Sequence, residues 1–329
     1  MSTTTTPPAS PANGLTESGA PRRRLLRGLP WLVYRRHRNL LIAGLLITVG
    51  GCALFAYERI GLMDFLHAHG TSRSGDTETK FQTEFAPMFE RYRNLLDYLP
   101  TAVAVFLGAP LIAGEQEHGT IKLATTQSVG RTRWLAAALG LPLAAAAVSA
   151  ALLALAFHWL WYPAHELALD GDWLTYAVEV TGPGLAAMTL FLTACGIGLG
   201  MLIKRVVPAM AATLFVSFGV DIIWSEKVRV HLGAFRSMIY PEHSANPPSL
   251  PAGAVEIDQW VSTADGKLYG FGTCSDRACE AKLGIVDRVS QYFDFDQMAG
   301  MQWRGAGILL ALTVIVLALI VWRVRRRPL

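Results

Sequence analysis

The chain alternates between long apolar blocks and shorter polar stretches. Six blocks carry almost no charge over about 20 residues each, the length at which a helix crosses a hydrocarbon core about 30 Å thick. The predicted spans are Leu40–Tyr57, Tyr98–Ala113, Leu135–Trp161, Gly182–Ile203, Val206–Trp224 and Gly305–Trp322. The pattern predicts an all-α integral membrane protein, with the first five transmembrane spans in residues 40–224 and the sixth in 305–322.

The polar stretches differ in kind. Residues 1–20 are rich in Thr, Pro, Ala and Ser and predict a disordered tail. In residues 21–39 apolar side chains alternate with arginines, which fits an amphipathic interfacial helix, broken at Pro30, or equally a solvated positive flank of span one. Residues 225–304 are long enough for a small ordered domain, and residues 323–329 form a basic tail.

A second amphipathic helix is predicted before span two. Phe81, Phe85, Phe89, Tyr92 and Leu96 follow one another at spacings of three and four residues. That spacing places them on one face of a helix that continues into the span.

Charge predicts the orientation. The protein has a net charge of +4, and only 16% of its residues are charged. If the N-terminus is cytoplasmic, sixteen of the 29 Lys and Arg residues fall in short cytoplasmic segments, against three of the 25 acidic residues. The positive-inside rule therefore predicts that both termini are cytoplasmic and that residues 225–304 are extracytoplasmic. We expect a multi-pass protein of a bacterial cell membrane.

Motifs for enzymatic chemistry are missing from the sequence. It has no phosphate-binding G-x-x-x-x-G-K-[ST], no H-E-x-x-H, no G-x-S-x-G and no zinc-spaced Cys/His group. No basic stripe interleaved with aromatics suggests nucleic-acid binding. We therefore predict no catalytic residue, cofactor or metal in this chain, and no nucleic-acid partner.

Cys274 and Cys279 lie close together in the predicted extracytoplasmic segment. In an oxidising exterior a disulfide is the expected product. Two free thiols or a redox pair are the alternatives, although a redox enzyme would need a second pair or a quinone site. Cys52 and Cys195 lie within spans and are interpreted as inert apolar residues.

Two further features lie at or within spans. Gly196, Gly198 and Gly200 in span four indicate close helix packing. Asp97 opens span two, and Asp221 lies one turn from the end of span five. Intramembrane charge is a functional hypothesis by default. Each aspartate either reaches interfacial water or a nearby arginine, or, for Asp221, marks a point on a substrate path.

The predicted cytoplasmic segment 114–134 contains the acidic pair Glu115 and Glu117, then Gly119 and Thr120, then an amphipathic piece and a turn. Two basic residues, Arg131 and Arg133, close it. It is interpreted as a short helix lying under the membrane, or as an ordinary connecting loop.

At these residues the chain resembles the membrane subunits of type-2 ABC exporters, especially the actinobacterial kind. Their inner loop commonly has the pattern E-x-E-x-G-T, a T-Q-S-V turn and R-x-R-W. Here the three motifs are Glu115–Thr120, Thr126–Val129 and Arg131–Trp134.

The resemblance implies that segment 114–134 is a coupling helix that docks into a separate ABC ATPase subunit. ATP and Mg²⁺ would bind that partner, and this permease would pair with a second copy or a related permease among membrane lipids. The sequence thus predicts the non-enzymatic permease subunit of an ATP-driven exporter. The alternative is a six-span sensor or binding subunit of a signalling complex, without transport activity.

Overall fold

The structure, a computed structural model, describes residues 29–71, 75–117 and 131–326. Several predicted features lie wholly or partly outside the described residues: the tail 1–20, the first part of helix 21–39, residues 118–130 of the coupling segment and the end of the basic tail.

The helices and strands are numbered in chain order within the described residues. They are α1 (Leu29–His69), α2 (Gly75–Glu84), α3 (Ala86–Val103), α4 (Ala109–Glu117), α5 (Arg131–Trp161), α6 (Trp173–Tyr176), α7 (Pro183–Ile203), α8 (Val206–Ile223), β1 (Arg236–Pro241), β2 (Val255–Thr263), β3 (Leu268–Gly270), α9 (Arg277–Leu283), β4 (Ile285–Phe293) and α10 (Met298–Arg326). Two π-helical turns, Ala104–Gly108 and Trp224–Val228, continue α3 into α4 and extend α8.

Six helices in the described residues are long and apolar enough to cross a membrane. They are Arg38–His69, Ala86–Glu117, Ala138–Ala164, Pro183–Ile203, Val206–His231 and Phe295–Arg326. This confirms the helical membrane part, and we number these spans one to six. The described part of α1 begins at Leu29, so the break predicted at Pro30 falls at the edge of the described residues and stays a prediction.

Span one is longer than predicted. The sequence predicts an end at Tyr57, but α1 continues to His69. Its 41 residues extend over about 60 Å, about twice the thickness of a hydrocarbon core. The last part packs against α2 and α3 through the predicted aromatic face. Phe81, Phe85, Phe89, Tyr92 and Leu96 are all buried, which confirms the predicted face. The helix itself is divided at Phe85, because α2 ends at Glu84 and α3 begins at Ala86.

The two ends of the helical bundle are distinguished by what they carry. The "sheet end" is the end where β1–β4 are inserted between spans five and six. The "hairpin end" is the opposite end, where Lys204 and Arg205 join α7 to α8.

Spans two and four make backbone contact along the middle of the bundle. A methyl group added at Gly196 would lie 2.7 Å from the carbonyl oxygen of Ala104, and one added at Gly200 would lie 2.4 Å from that of Ala109. Gly108 on span two approaches span four equally closely. These contacts confirm the close packing predicted for the glycines of span four.

The π turn in span two follows from Pro110. Proline has no N–H to donate, and its ring crowds the carbonyl four residues earlier, that of Phe106. The helix widens there, so that the N–H of Ala109 donates to the carbonyl of Ala104 instead. The widened turn lies at the point where span two meets the glycines of span four.

The segment between spans five and six contains an antiparallel sheet with the strand order β1-β4-β2-β3. The sequence predicts an ordered domain here but not its strands. Phe293, at the end of β4, is fully buried. It stacks on Phe235 and fills the space beside Gly233, which attaches the sheet to the end of the bundle.

The sulfur atoms of Cys274 and Cys279 lie at disulfide distance, with the two Cα atoms 5.5 Å apart. The pair joins the start of α9 to the preceding turn. Asp276 caps this helix, because its Oδ1 accepts a hydrogen bond of 2.7 Å from the N–H of Cys279.

We predict that Gly200→Ala destabilises the protein, because the new methyl group would meet the backbone of span two. Overpacking of this kind costs about 1–3 kcal/mol. Gly219→Ala on α8 is the matched control, since nothing lies within 4 Å of its added methyl group. Thermal unfolding in detergent should show a lower midpoint for G200A and an equal or higher one for G219A. Equal midpoints for G200A and wild type would contradict this packing.

We predict that Cys274 and Cys279 are oxidised to each other in cells. Alkylation of the non-reduced protein, followed by mass spectrometry, should find both thiols blocked. After reduction both should react. Cys52 and Cys195 lie in spans and have free thiols, so their alkylation can be compared with that of Cys274 and Cys279 before and after reduction. Labelling of either Cys274 or Cys279 in intact, non-reduced cells would disprove the disulfide.

Candidate functional site

Two of the predicted coupling residues, Glu115 and Glu117, lie at the hairpin end, where α4 ends. The side chain of Glu117 is exposed, and its Oε2 accepts a hydrogen bond of 2.9 Å from the backbone N–H of Val206. Val206 is the first residue of α8. The first N–H groups of a helix have no partner within it, and the helix dipole favours a negative charge there. Glu117 therefore caps span five from the end of span two.

Glu115 is only 7% exposed and lies among buried residues of α4. It is thus part of the bundle and does not lie on its surface. Gly119 and Thr120 lie outside the described residues. Arg131 and Arg133 lie in the first turn of α5, beyond the gap in the described residues.

A charge cluster lies at the sheet end. It consists of Asp97 and Arg93 on α3, Glu179 in the turn before α7, Asp221 on α8 and Arg229 just after the π turn. One carboxylate oxygen from each of the three acids lies within 4.8 Å of the others.

Two arginines pair with two of these acids. Arg93 Nη2 lies 3.6 Å from Asp97 Oδ2, and Arg229 Nη1 lies 3.7 Å from Glu179 Oε1. Arg229 Nη1 also donates to the carbonyl of Thr175. Asp221 has no ion pair within 4.0 Å among the described residues. The two guanidinium groups supply the positive charge that a bound cation would otherwise bring to the three carboxylates.

Glu179 is the acid most affected by its surroundings. It lies outside the spans, in a turn that Gln302 of α10 holds by donating to the carbonyl of Val178 and the hydroxyl of Thr181, both at 3.0 Å. Burial raises the pKa of Glu179 to about 7. Arg229 and Arg93 oppose this shift, whereas Asp97 and Asp221 add to it. The carboxyl group is therefore protonated in part of the molecules at neutral pH.

The cluster borders a cavity of about 50 Å³ between spans two, four, five and six. Its remaining walls are mostly apolar and include Leu185, Met188, Trp224 and Met301. A water molecule needs roughly 10–15 Å³ of such space. The cavity is therefore large enough for a few water molecules and too small for a larger solute.

A protein-family model described as "ABC-2 membrane transporter related" matches residues 45–229. The match includes spans one to five, Glu115 and Glu117, and the whole charge cluster. The chain belongs to this family. No curated protein and no solved structure was found to match it.

The ABC-2 membrane transporter family match ends at Arg229, before the first strand of the sheet. Both polar sites therefore lie within the match, whereas the sheet and span six lie beyond it. The chain is a multi-pass membrane protein and a permease of the ABC-2 type.

The sequence predicts a role for only two members of the permease's charge cluster, Asp97 and Asp221. Asp97 pairs with a nearby arginine, one of the two environments expected for it. Asp221 lies exposed at the rim of the cavity, and a role on a substrate path stays a prediction. Glu179, Arg93 and Arg229 were missed. Their signal was the position of charged residues within a few residues of span ends.

Proposed function

We propose that this chain is the permease subunit of an ATP-driven exporter in a bacterial cell membrane. The observation that carries the proposal is the family match over five of six spans. ABC-2 permeases normally work with an ATPase subunit. The sequence contains no nucleotide-binding motif, so ATP and Mg²⁺ bind that partner chain.

The hairpin end is the cytoplasmic end in this proposal, and the sheet end is extracytoplasmic. The distribution of Lys and Arg supports this orientation. The disulfide pair supports it as well, because disulfides persist outside the reducing cytoplasm.

The coupling segment 114–134 docks into the ATPase and moves with it. Glu117 supports a direct route for this motion, since it joins the start of the segment to the N-terminus of span five. A movement of the segment then acts on spans two and five together. Arg131 and Arg133, where the segment enters span three, complete the docking element.

Span five also supports pairing with a second copy of the chain or a related permease. Its surface carries large exposed apolar side chains, with Val207 75% and Phe215 76% exposed. Lipid covers what the second permease does not, and the path for the substrate lies between the two subunits.

We predict that Glu117→Lys releases the ATPase and abolishes ATP-dependent efflux while the protein still inserts into the membrane. Losing the cap on span five costs only about 0.5–2 kcal/mol, because Glu117 is exposed. Glu115→Lys would be a poorer test, since it replaces a buried acid with a longer side chain of opposite charge. Pull-down from detergent with an ATPase encoded by a neighbouring gene measures the association of the two subunits directly.

Two controls accompany this test. Glu117→Gln keeps an oxygen acceptor for Val206 and should retain more ATPase than E117K. Arg325→Glu reverses an exposed charge near the end of span six and should retain all of it. If E117K holds its ATPase at wild-type stoichiometry, Glu117 does not contribute to docking. If the wild type captures no ATPase, the exporter proposal is wrong, and the alternative of a sensor or binding subunit is favoured.

A further inference from the structure

The charge cluster connects three parts of the chain at the sheet end. Span two contributes Arg93 and Asp97, the turn before span four contributes Glu179, and the end of span five contributes Asp221 and Arg229. Span six reaches the same turn through the uncharged side chain of Gln302. These five residues are the titratable and charged groups that face one another there.

The number of charges is unbalanced. Three carboxylates, with one oxygen from each within 4.8 Å of the others, lie beside two guanidinium groups. The fully ionised cluster therefore has one negative charge in excess. Only 26% of the Asp97 side chain and 27% of the Glu179 side chain are exposed, so solvent screens these two carboxylates less than it screens the exposed Asp221. A single proton makes the cluster neutral.

We propose that this cluster is a protonation switch, in which Glu179 carries the proton and the protonated state holds the sheet end of span five against span two. Loss of the proton leaves Asp221 repelled by two neighbouring carboxylates without an ion pair of its own. The turn of α8 that carries Asp221 is then pushed away from Asp97 and Glu179, while Arg229, beyond the π turn, keeps its ion pair with Glu179. The cavity opens towards the sheet end.

The geometry points to Glu179 as the group that binds the proton. Its Oε1 is shielded from solvent and accepts no hydrogen bond in the structure, and Arg229 Nη1 at 3.7 Å is beyond hydrogen-bond distance. Burying an ionised carboxylate without a hydrogen bond costs much more free energy than burying the neutral, protonated acid. The pKa of Glu179, raised to about 7, agrees with this assignment.

The part of span five that would move carries Asp221 and ends at a π turn. Residues Trp224–Val228 separate Asp221 from Arg229, and such widened turns are common where helices bend at functional sites. Trp224 is buried against Gly305 of span six and forms the fixed side of the turn. Asp221, one turn earlier on α8, lies on the side that faces span two.

The proton can be observed directly by infrared titration of the purified protein in detergent. We expect the carbonyl band of a protonated carboxylic acid to disappear as the pH rises through about 7. The band should be absent from Glu179→Gln. A band that persists unchanged in E179Q would assign the proton to another residue and overturn the proposal.

The movement can be measured as a distance between two spin labels. Leu95 on α3 and Ile223 on α8 are 67% and 60% exposed, so labels there leave the cluster intact. The labels are attached to cysteines after Cys52 and Cys195 are replaced by alanine. Helix shifts at interfaces are of the order of 1–2 Å, so we expect the wild-type distance to lengthen by about 2 Å between pH 5.5 and 8.5.

Three variants make this measurement decisive. E179Q and Asp221→Asn each remove one carboxylate, so both should keep the short distance at either pH. Glu226→Gln changes an exposed acid in the same π turn and should behave like the wild type. A wild-type distance that does not change with pH, or an E179Q distance that still does, would overturn the switch. No ATPase is present, so the result is independent of the exporter proposal.

Stability offers a second readout, with a defined sign. The pKa of Glu179 is raised in the folded protein above its ordinary value of 4.5. The folded state therefore binds the proton more tightly, and stability falls as the pH rises from about 4.5 to about 7. The thermal midpoint of the wild type should fall relative to that of E179Q across this window and run parallel to it above pH 8. Parallel midpoints over the whole range would contradict proton binding at Glu179.

Discussion

The backbone contact between spans two and four is the constraint on which the rest of the bundle depends. Gly108, Gly196 and Gly200 remove side chains from the contact, so the two helices approach until carbonyl oxygens of one touch the other. In a membrane there is little hydrophobic gain from burying one apolar helix against another, and close packing of this kind supplies the attraction instead. Span four is accordingly the most enclosed of the six.

This contact also sets the position of span five. Ala109 and Ala113 on span two pack against Ala209 on span five, again through small side chains. Polar contacts then join the same two spans at both ends, through Glu117 and Val206 at one end and the charge cluster at the other. Spans two and five are thus joined by small-residue packing along their length and by polar contacts at both ends.

In the proposed exporter, the permease has to relate an event at its ATPase to a change at the far side of the membrane. Packing through small residues is stiff, because a close-packed contact transmits a displacement instead of absorbing it. The two π turns introduce bends at defined points, one beside the glycines of span four and one beside the charge cluster. A movement of Glu117 on docking would therefore also displace Asp221. In the proposed protonation switch, the charge of the cluster around Asp221 sets the position of that part of span five.

The sequence alone determined the features that depend on residues near one another in the chain. Span positions follow from the apolar length needed to cross a bilayer, the buried face of α3 from a spacing of three and four, and the cysteine pair from its separation of five residues. Tertiary structure decided the rest. Glu117 finds its partner 89 residues away, and the pairing of β2 with β4 depends on register between distant strands. Each segment of the charge cluster looks like an ordinary span end, and only the packing of spans two, four and five brings the five charged groups together.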